Sequence, residues 1–296
     1  MIKVLYNKLN NFVSNHPYVF LLLPGALFIF IFALIPLFYS FIISFYQNIP
    51  GGYMRPAFTF ENYRRFLTSN FYLSNVLYVT LKLSFFNTLL ATPLGYITAY
   101  FLVKGRFRGS SWLISLVVAT LWISVVIRLF GWMIIFLQGG VLNQALLKIG
   151  IIKEPIRFMG TELGVLIVMT QIHIPFIVLP LIGVLESINP ALEEVAQNIG
   201  ANKVQTFLKV TLPLSMPGVI AGSLLVFALS VSTFAIPQFI GGGRVIMLGP
   251  VIYQSSMLVG NLPFASAIGV ITLFVCFIFI MLYLLILKKL YRGVSL

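Results

Sequence analysis

The stretch EEVAQNIGANKVQTFLKVTLPLSMPG, residues 193–218, is a polar loop that joins two apolar segments. Residues 163–185 before it and residues 210–243 at its end contain no Asp, Glu, Lys or Arg. Only 8% of the chain is charged, yet two Glu, two Lys, two Asn and two Gln fall within this stretch. This concentration of polar side chains predicts a surface that meets a partner.

The composition indicates an integral membrane protein. Hydrophobic residues make up 60% of the 296 residues and charged residues 8%, whereas soluble domains have about 45–50% and about 25%. A net charge of +13 does not indicate nucleic-acid binding, because the basic residues lie in short loops and are not interleaved with aromatic ones. The single cysteine, Cys276, lies in an apolar run and is expected to be a core residue.

Six segments are long enough to cross a hydrocarbon core, which takes about 20 apolar residues. The first is too long for the apolar region of a signal peptide and is expected to stay as a spanning helix. The chain shows no alternation of apolar and polar residues, so barrel strands are not expected. The expected fold is an all-α integral membrane protein with six transmembrane helices, at 18–46, 72–103, 111–137, 162–186, 215–240 and 262–287.

Basic residues in the loops predict the orientation. With both termini on one side, that side carries ten basic residues: Lys3, Lys8, Lys104, Arg106, Arg108, Lys203, Lys209, Lys288, Lys289 and Arg292. The other side carries seven: Arg55, Arg64, Arg65, Lys148, Lys153, Arg157 and Arg244. We therefore expect both termini, and the loop between the fourth and fifth helices, to be cytoplasmic.

This orientation divides the chain into three parts. Residues 1–70 comprise an N-terminal cytoplasmic segment, the first spanning helix and an outer loop. Residues 71–290 form the transmembrane core with the polar loop at 189–213, and residues 291–296 form a cytoplasmic tail.

The polar loop has the signals of two short helices. Asn189 can cap the first and Pro190 can occupy its first position, and Gly200 can end it in a left-handed conformation. Asn202 can cap a second helix, which Leu212-Pro213 is expected to stop. Apolar residues recur at helical spacing in each: Ala191, Leu192, Val195, Ala196 and Ile199 in the first, and Val204, Phe207 and Leu208 in the second.

The run from Glu193 to Pro213 resembles the EAA loop of type I ABC-importer permeases. That motif begins with Glu-Ala-Ala, and a Gly follows after three residues. After nine more residues it has an aliphatic residue, then any one residue, and then Leu-Pro. The matching positions here are Glu194, Val195, Ala196, Gly200, Val210, Leu212 and Pro213. Val195 replaces the first Ala of the motif, and Val210 replaces the usual Ile.

Three further segments, 124–151, 170–190 and 213–243, resemble permeases of the spermidine/putrescine (polyamine) importers, so that the similarity covers roughly residues 70–285. The resemblance implies a bacterial inner-membrane permease whose coupling helix inserts into a groove of a cytoplasmic ABC ATPase dimer. It implies ATPase-coupling roles for Glu193, Glu194, Ala196, Gly200, Val210, Leu212 and Pro213. It also implies a second permease subunit, homologous or identical, and a periplasmic or extracellular solute-binding protein.

An interfacial helix on lipid is a weaker interpretation of the loop, because such helices carry Lys and Arg on the polar face and the first one here carries Glu. The chain has no Gly-Lys dipeptide, hence no P-loop. ATP and Mg²⁺ are therefore expected on the partner ATPase, with no cofactor or metal in this chain. With no HExxH or GxSxG motif either, we expect no enzymatic activity of its own.

Two ionisable residues, Lys82 and Arg128, lie deep in predicted spans, where charges usually face a cavity or a partner. Arg128 with Trp132 one turn later could line the substrate pathway, with the guanidinium against the indole. Lys82 and His173 are further candidates, although a buried His is more commonly an interhelical hydrogen-bonder. The two deep charges are positive and no Glu lies deep in a span, which suits a polycationic solute poorly. An amine that carries a carboxylate or phosphonate is therefore an alternative solute.

A second class of function is a secondary transporter or channel that needs no ATPase. Proline residues in several spans favour kinked helices, which such carriers use. No inverted repeat is obvious within the six spans, however, and carriers are commonly built from internal repeats.

Overall fold

The computed structural model describes residues 17–49, 51, 53–105 and 109–290, with side chains from 22 to 286. The expected N-terminal cytoplasmic segment before residue 17, the basic residues 106 and 108, and the tail 291–296 lie outside the described residues. The division of the chain at residues 70 and 290 stays a prediction.

The described residues form twelve helices and one small hairpin, which we number in chain order. The helices are α1 (Pro17–Ile29, Phe30–Leu34 and Ile35–Ile43), α2 (Glu61–Thr68), α3 (Phe71–Lys104), α4 (Ser110–Trp122), α5 (Val125–Phe136), α6 (Val141–Lys148), α7 (Glu162–Ser187), α8 (Pro190–Asn198), α9 (Lys203–Ser232), α10 (Ala235–Phe239), α11 (Leu248–Tyr253 and Gln254–Leu258) and α12 (Leu262–Leu290). Strands β1 (Gln47–Ile49) and β2 (Tyr53–Arg55) pair antiparallel between α1 and α2.

Six helical stretches of the described residues are long and apolar enough to cross a membrane: Leu22–Ile43, Phe71–Lys104, Val125–Lys148, Glu162–Ser187, Lys203–Ser232 and Leu262–Ile286. The expected all-α fold with six transmembrane helices is confirmed. The hairpin is too short to span and lies in the loop after α1.

Two predicted spans have different boundaries. The segment 111–137 is not one helix, because Ile123 and Ser124 are extended and separate α4 from α5. A serine within a run of β-branched residues disfavours the helix there. The fifth span was predicted at 215–240, but α9 ends at Ser232 and Thr233 is extended. Pro237, which falls within the predicted span, therefore lies in the separate helix α10.

The prediction that Leu212-Pro213 stops the second short helix is wrong. Residues Phe207–Thr211 form a π turn in which the Leu212 N–H donates to the Phe207 carbonyl, five residues back. This wider turn removes the clash that a proline ring makes in a regular helix. The second helix of the polar loop is consequently continuous with the fifth span.

The core is a contact of three helices, α3, α7 and α9, which pack along one another. Ile177 of α7 lies at its centre, between Gly95 of α3 and Gly222 of α9. A Cβ built on Gly95 would be 2.5 Å from the Ile177 Cγ2, and one on Gly222 would be 3.1 Å from the Ile177 Cα. Small residues let the backbones approach closely, which is how helices associate in lipid.

Substitution of Gly95 by Ala should destabilise the bundle, because the new methyl group overlaps the buried Ile177 side chain. Overpacking of this kind costs about 1–3 kcal/mol, and a lower thermal unfolding midpoint of the purified permease measures it. Gly183→Ala is the matched control, since a Cβ at Gly183 in α7 meets nothing within 4 Å. Equal midpoints for the two variants would contradict the close contact.

Candidate coupling loop and transport pathway

The polar loop folds with the end signals that its sequence predicts. The Asn189 side chain accepts a hydrogen bond from the Ala191 N–H (3.0 Å), and Pro190 begins α8. Gly200 has φ +98°, a left-handed conformation that a residue with a side chain adopts only at a cost. Asn202 and Gln205 form a reciprocal capping box at the start of α9. The loop is thus a short helix, a glycine bend and the first turn of the fifth span.

Glu193 attaches α8 to the three-helix core. Its Oε1 lies 3.1 Å from the Lys104 Nζ at the end of α3 and accepts a hydrogen bond from the Thr211 Oγ1 of α9 (2.8 Å). Thr211 is buried, and Lys104 and Glu193 are mostly buried. One carboxylate oxygen therefore holds the loop to two different spans.

Aromatic packing supports the same contact from within the bundle. The Phe207 ring of α9 meets Tyr96 and Tyr100 of α3 edge-on, with ring centroids 5.7 and 5.3 Å apart. Tyr96 also shares a hydrogen bond with the Ser215 Oγ of α9 (2.8 Å). A cavity of about 660 Å³, lined by polar residues such as Gln197 and Lys203, separates the rest of α8 from the bundle.

The apolar stripe of the loop faces away from the bundle. Leu192, Val195 and Ile199 of α8 are 48%, 57% and 82% exposed, and Val204 and Leu208 on the first turns of α9 are 65% and 53% exposed. Glu194 is exposed as well, whereas Ala196 is half-buried. The sequence left open which face packs on the bundle, and the structure shows that it is the polar side with Glu193.

The remaining motif residues lie at or beyond the bend. A Cβ at Gly200 would meet nothing within 4 Å, so the requirement for glycine within this chain comes from its backbone conformation. Val210, Leu212 and Pro213 are half-buried at the π turn, and Leu212 packs against two clusters of the core. The predicted coupling residues therefore fall into two groups. An attached base is held against the bundle and contains Glu193, Val210, Leu212 and Pro213, whereas an exposed tip contains Glu194 and Gly200.

Lys82, which the sequence placed deep in the second span, has a partner that the sequence did not reveal. The Lys82 Nζ of α3 lies 2.6 Å from the Glu162 Oε2, and the Tyr78 ring centroid is 5.9 Å away. Glu162 is in the first turn of α7, and 80 residues separate the two charges along the chain. The ion pair joins α3 to α7 at the end of the bundle opposite the polar loop.

Arg128 and Trp132 lie one turn apart on α5, but the guanidinium does not stack on the indole ring. The Trp132 Nε1 donates to the Gln171 Oε1 of α7 (3.2 Å). The cation–π contacts within the described part of the chain are Lys82–Tyr78 and Arg65–Phe264, so the expected arrangement of Arg128 against Trp132 is not found. Both residues are half-buried.

His173 belongs to a buried polar contact between the core helices. Its Nδ1 lies 2.9 Å from the Asn87 Nδ2 of α3, which also donates to the Ser230 Oγ of α9 (2.6 Å). Asn87 and Ser230 are fully buried and His173 is 5% exposed. This is the interhelical role considered from the sequence, and a contact of His173 with solute stays a prediction.

Sequence reasoning missed Lys104, Thr211, Glu162, Asn87 and Ser230 as parts of these sites. Each partner is distant in sequence, so helical periodicity alone could not pair them. The position of Lys104 at the end of a span, in the basic cluster KGRFR, was the one available signal.

Comparison with known proteins identifies the class to which this fold and loop belong. The family described as "Binding-protein-dependent transport system inner membrane component" matches residues 91–292. The chain belongs to this family and is a permease subunit of a type I ABC importer in the inner membrane. ATP hydrolysis in such importers takes place in a separate ATPase subunit, so this chain is a permease and not an enzyme.

Among its relatives, the spermidine/putrescine transport system permease protein PotB of Escherichia coli K12 is 33% identical over 240 residues, which cover 81% of this chain and 86% of PotB. The sulfate transport system permease protein CysT of Salmonella typhimurium is 32% identical over 164 residues, 55% of this chain and 57% of CysT. The structure of a bacterial alginate ABC transporter with its periplasmic protein shares the fold, with a TM-score of 0.75, 20% identity and coverage of 97% and 99%.

Replacement of Glu193 by Gln should loosen α8, because the carboxylate loses its charge toward Lys104. A hydrogen bond to a charged group contributes about 1.5–3 kcal/mol, so backbone amides of α8 should exchange with deuterium roughly tenfold faster. Glu194→Gln is the control, since it makes the same change one residue away at an exposed position. Equal exchange in both variants would show that the ion pair does not hold the helix.

Proposed function

We propose that this chain is the permease through which a polyamine such as spermidine or putrescine, or a related small amine, enters the cell. The observation that supports the solute is the 33% identity with PotB over 81% of the chain. The shorter match to the sulfate permease CysT supports the importer family without supporting an amine. A carrier without an ATPase partner, the alternative left open by the sequence, does not fit a family of binding-protein-dependent systems.

The exposed apolar stripe of the polar loop supports a docking role. Leu192, Val195 and Ile199 project from the tip of α8, and water-exposed apolar residues grouped in this way mark an interaction site. In this proposal α8 is the coupling helix, which inserts into a groove of the ATPase dimer on the cytoplasmic side. Both termini are then cytoplasmic as well.

The attachment of the loop supports its role in transmission. Glu193 links α8 to the ends of α3 and α9, and α9 continues from the loop into the fifth span without a break. A displacement of α8 by the ATPase would move these two spans directly. Gly200 would set the bend at which the tip meets its partner, and Glu194 would be available to it.

A complete importer in this proposal contains four kinds of chain. This permease pairs with a second permease, two ATPase subunits bind ATP and Mg²⁺, and a solute-binding protein delivers the amine from outside. Lys82, Arg128, Trp132 and His173 are proposed near the pathway. The partnership of Lys82 with Glu162 reduces the positive field that a polycation would meet.

Introduction of a charge at Ile199 should weaken ATPase binding, because a carboxylate cannot be buried in an apolar groove without a partner. We expect Ile199→Asp to reduce the amount of ATPase that co-purifies with the permease by roughly tenfold or more. Ile151→Asp is the matched control, with the same substitution at a 67% exposed isoleucine at the opposite end of the bundle. Normal co-purification of Ile199→Asp would contradict docking through this face.

Reconstitution of the four kinds of chain in liposomes tests which solute the importer transports. We expect ATP-dependent uptake of labelled spermidine or putrescine, with no uptake when ATP is replaced by a non-hydrolysable analogue. ATP-dependent uptake of a different solute, such as sulfate, with no uptake of either polyamine would refute the amine proposal. The family assignment would stand in that case.

A further inference from the structure

Two nitrogens of the Arg128 guanidinium have no hydrogen-bond acceptor among the described residues. Its Nε and Nη1 are buried among the described residues without a partner, and Arg128 lies in the candidate span Val125–Lys148. A charge within the membrane segment is costly unless it is paired or faces water. We propose that in the assembled transporter Arg128 binds an oxyanion, a carboxylate or phosphonate group that comes from outside this chain.

No glutamate of the chain serves this purpose, and the chain has no aspartate. Glu162 pairs with Lys82, and Glu193 pairs with Lys104. Glu186 and Glu194 line the cavity at the loop end, and Glu61 and Glu154 lie in the segments that connect spans at the opposite end. All six side chains are described, and none forms an ion pair with Arg128.

Two polar side chains of α7, Gln171 and His173, hydrogen-bond to side chains of the neighbouring helices. The Gln171 Oε1 already accepts from the Trp132 indole, which leaves the Gln171 amide N–H₂ to donate. The His173 Nδ1 faces the Asn87 N–H₂, so it acts as the acceptor and the other ring nitrogen carries the proton. The buried Asn87 Oδ1 is a free acceptor, but the Arg128 guanidinium has only N–H donors, so its own partner has to be an acceptor such as an oxyanion.

Two sources can supply an oxyanion of this chemistry. One is a carboxylate of the second permease subunit, for which the exposed apolar residues on the same helix, Ile127, Phe130 and Ile134, provide a surface to pack against. The other is the transported solute, if it is an amine that also carries an acidic group. The inference rests on the proposed function, because a solute without an acceptor, such as a polyamine, leaves the second permease as the source.

The test uses the complex of both permeases and the ATPase in nanodiscs, with Arg128→Gln, Arg128→Lys and the control Arg64→Gln. Arg64 is an exposed arginine of α2 with no side-chain partner among the described residues. The probes are 1,4-diaminobutane and 4-aminobutyrate, two molecules with the same carbon chain that differ in having an amine or a carboxylate at one end. Thermal stabilisation by each probe and the fraction of protein that elutes as a two-permease complex are measured.

If the solute is the source, 4-aminobutyrate stabilises the wild type more than 1,4-diaminobutane does. Arg128→Gln then weakens 4-aminobutyrate binding by roughly tenfold or more, and Arg128→Lys retains part of it. If the second permease is the source, neither probe depends on Arg128. Arg128→Gln instead lowers the two-permease fraction, and Arg128→Lys, which keeps the charge, restores it.

The inference is overturned if Arg128→Gln matches Arg64→Gln in both measurements. A variant that aggregates is recognised by its elution profile, and Arg128→Met, which also removes the charge, then replaces Arg128→Gln: an unchanged probe response and an unchanged two-permease fraction in Arg128→Met overturn the inference. Failure of the proposed function is seen separately, as absent spermidine uptake by the wild-type importer.

Discussion

The contact of one Glu193 oxygen with Lys104 and Thr211 determines how the polar loop relates to the rest of the molecule. The chain has only six acidic residues, and this one lies where the ends of α3, α8 and α9 meet. An ion pair that is mostly shielded from solvent is strong when its remaining hydrogen bonds are satisfied, and removal of one partner is costly. The contact holds the polar face of α8 against the bundle, and the apolar stripe on the other face is left exposed.

The two helices to which Glu193 is bonded, α3 and α9, belong to the three-helix core, so a force on α8 reaches the core directly. Ile177 packs between Gly95 and Gly222, and the buried Asn87–His173–Ser230 contact joins the same three helices. Packed interiors are dense and transmit displacement. A loop bonded to α3 and continuous with α9 is therefore part of the core and not an appendage, whereas α1 and α12 are largely exposed and contribute less to this unit.

Local features of the fold were predictable from the sequence, and features that depend on distant contacts were not. The six apolar segments, the Asn189 and Asn202 caps and the Gly200 bend each follow from neighbouring residues, and the structure confirms them. The break at Ile123-Ser124 and the passage of α9 through Pro213 depend on backbone choices that apolar composition does not report. The partners of Lys82, Lys104 and His173 lie 57 or more residues away, and no periodic pattern links them.

If Glu193 holds α8 to α3, the two helices move as one body when the ATPase acts. Spin labels at Asn198 on α8 and at the exposed Ile97 on α3, in a Cys276→Ser background, measure the distance within this chain. We expect the same distance with and without ATP in the assembled importer, while the distance from Asn198 to the second permease changes. A change within this chain of about one helical turn, about 5 Å, with the spans otherwise unmoved would contradict it.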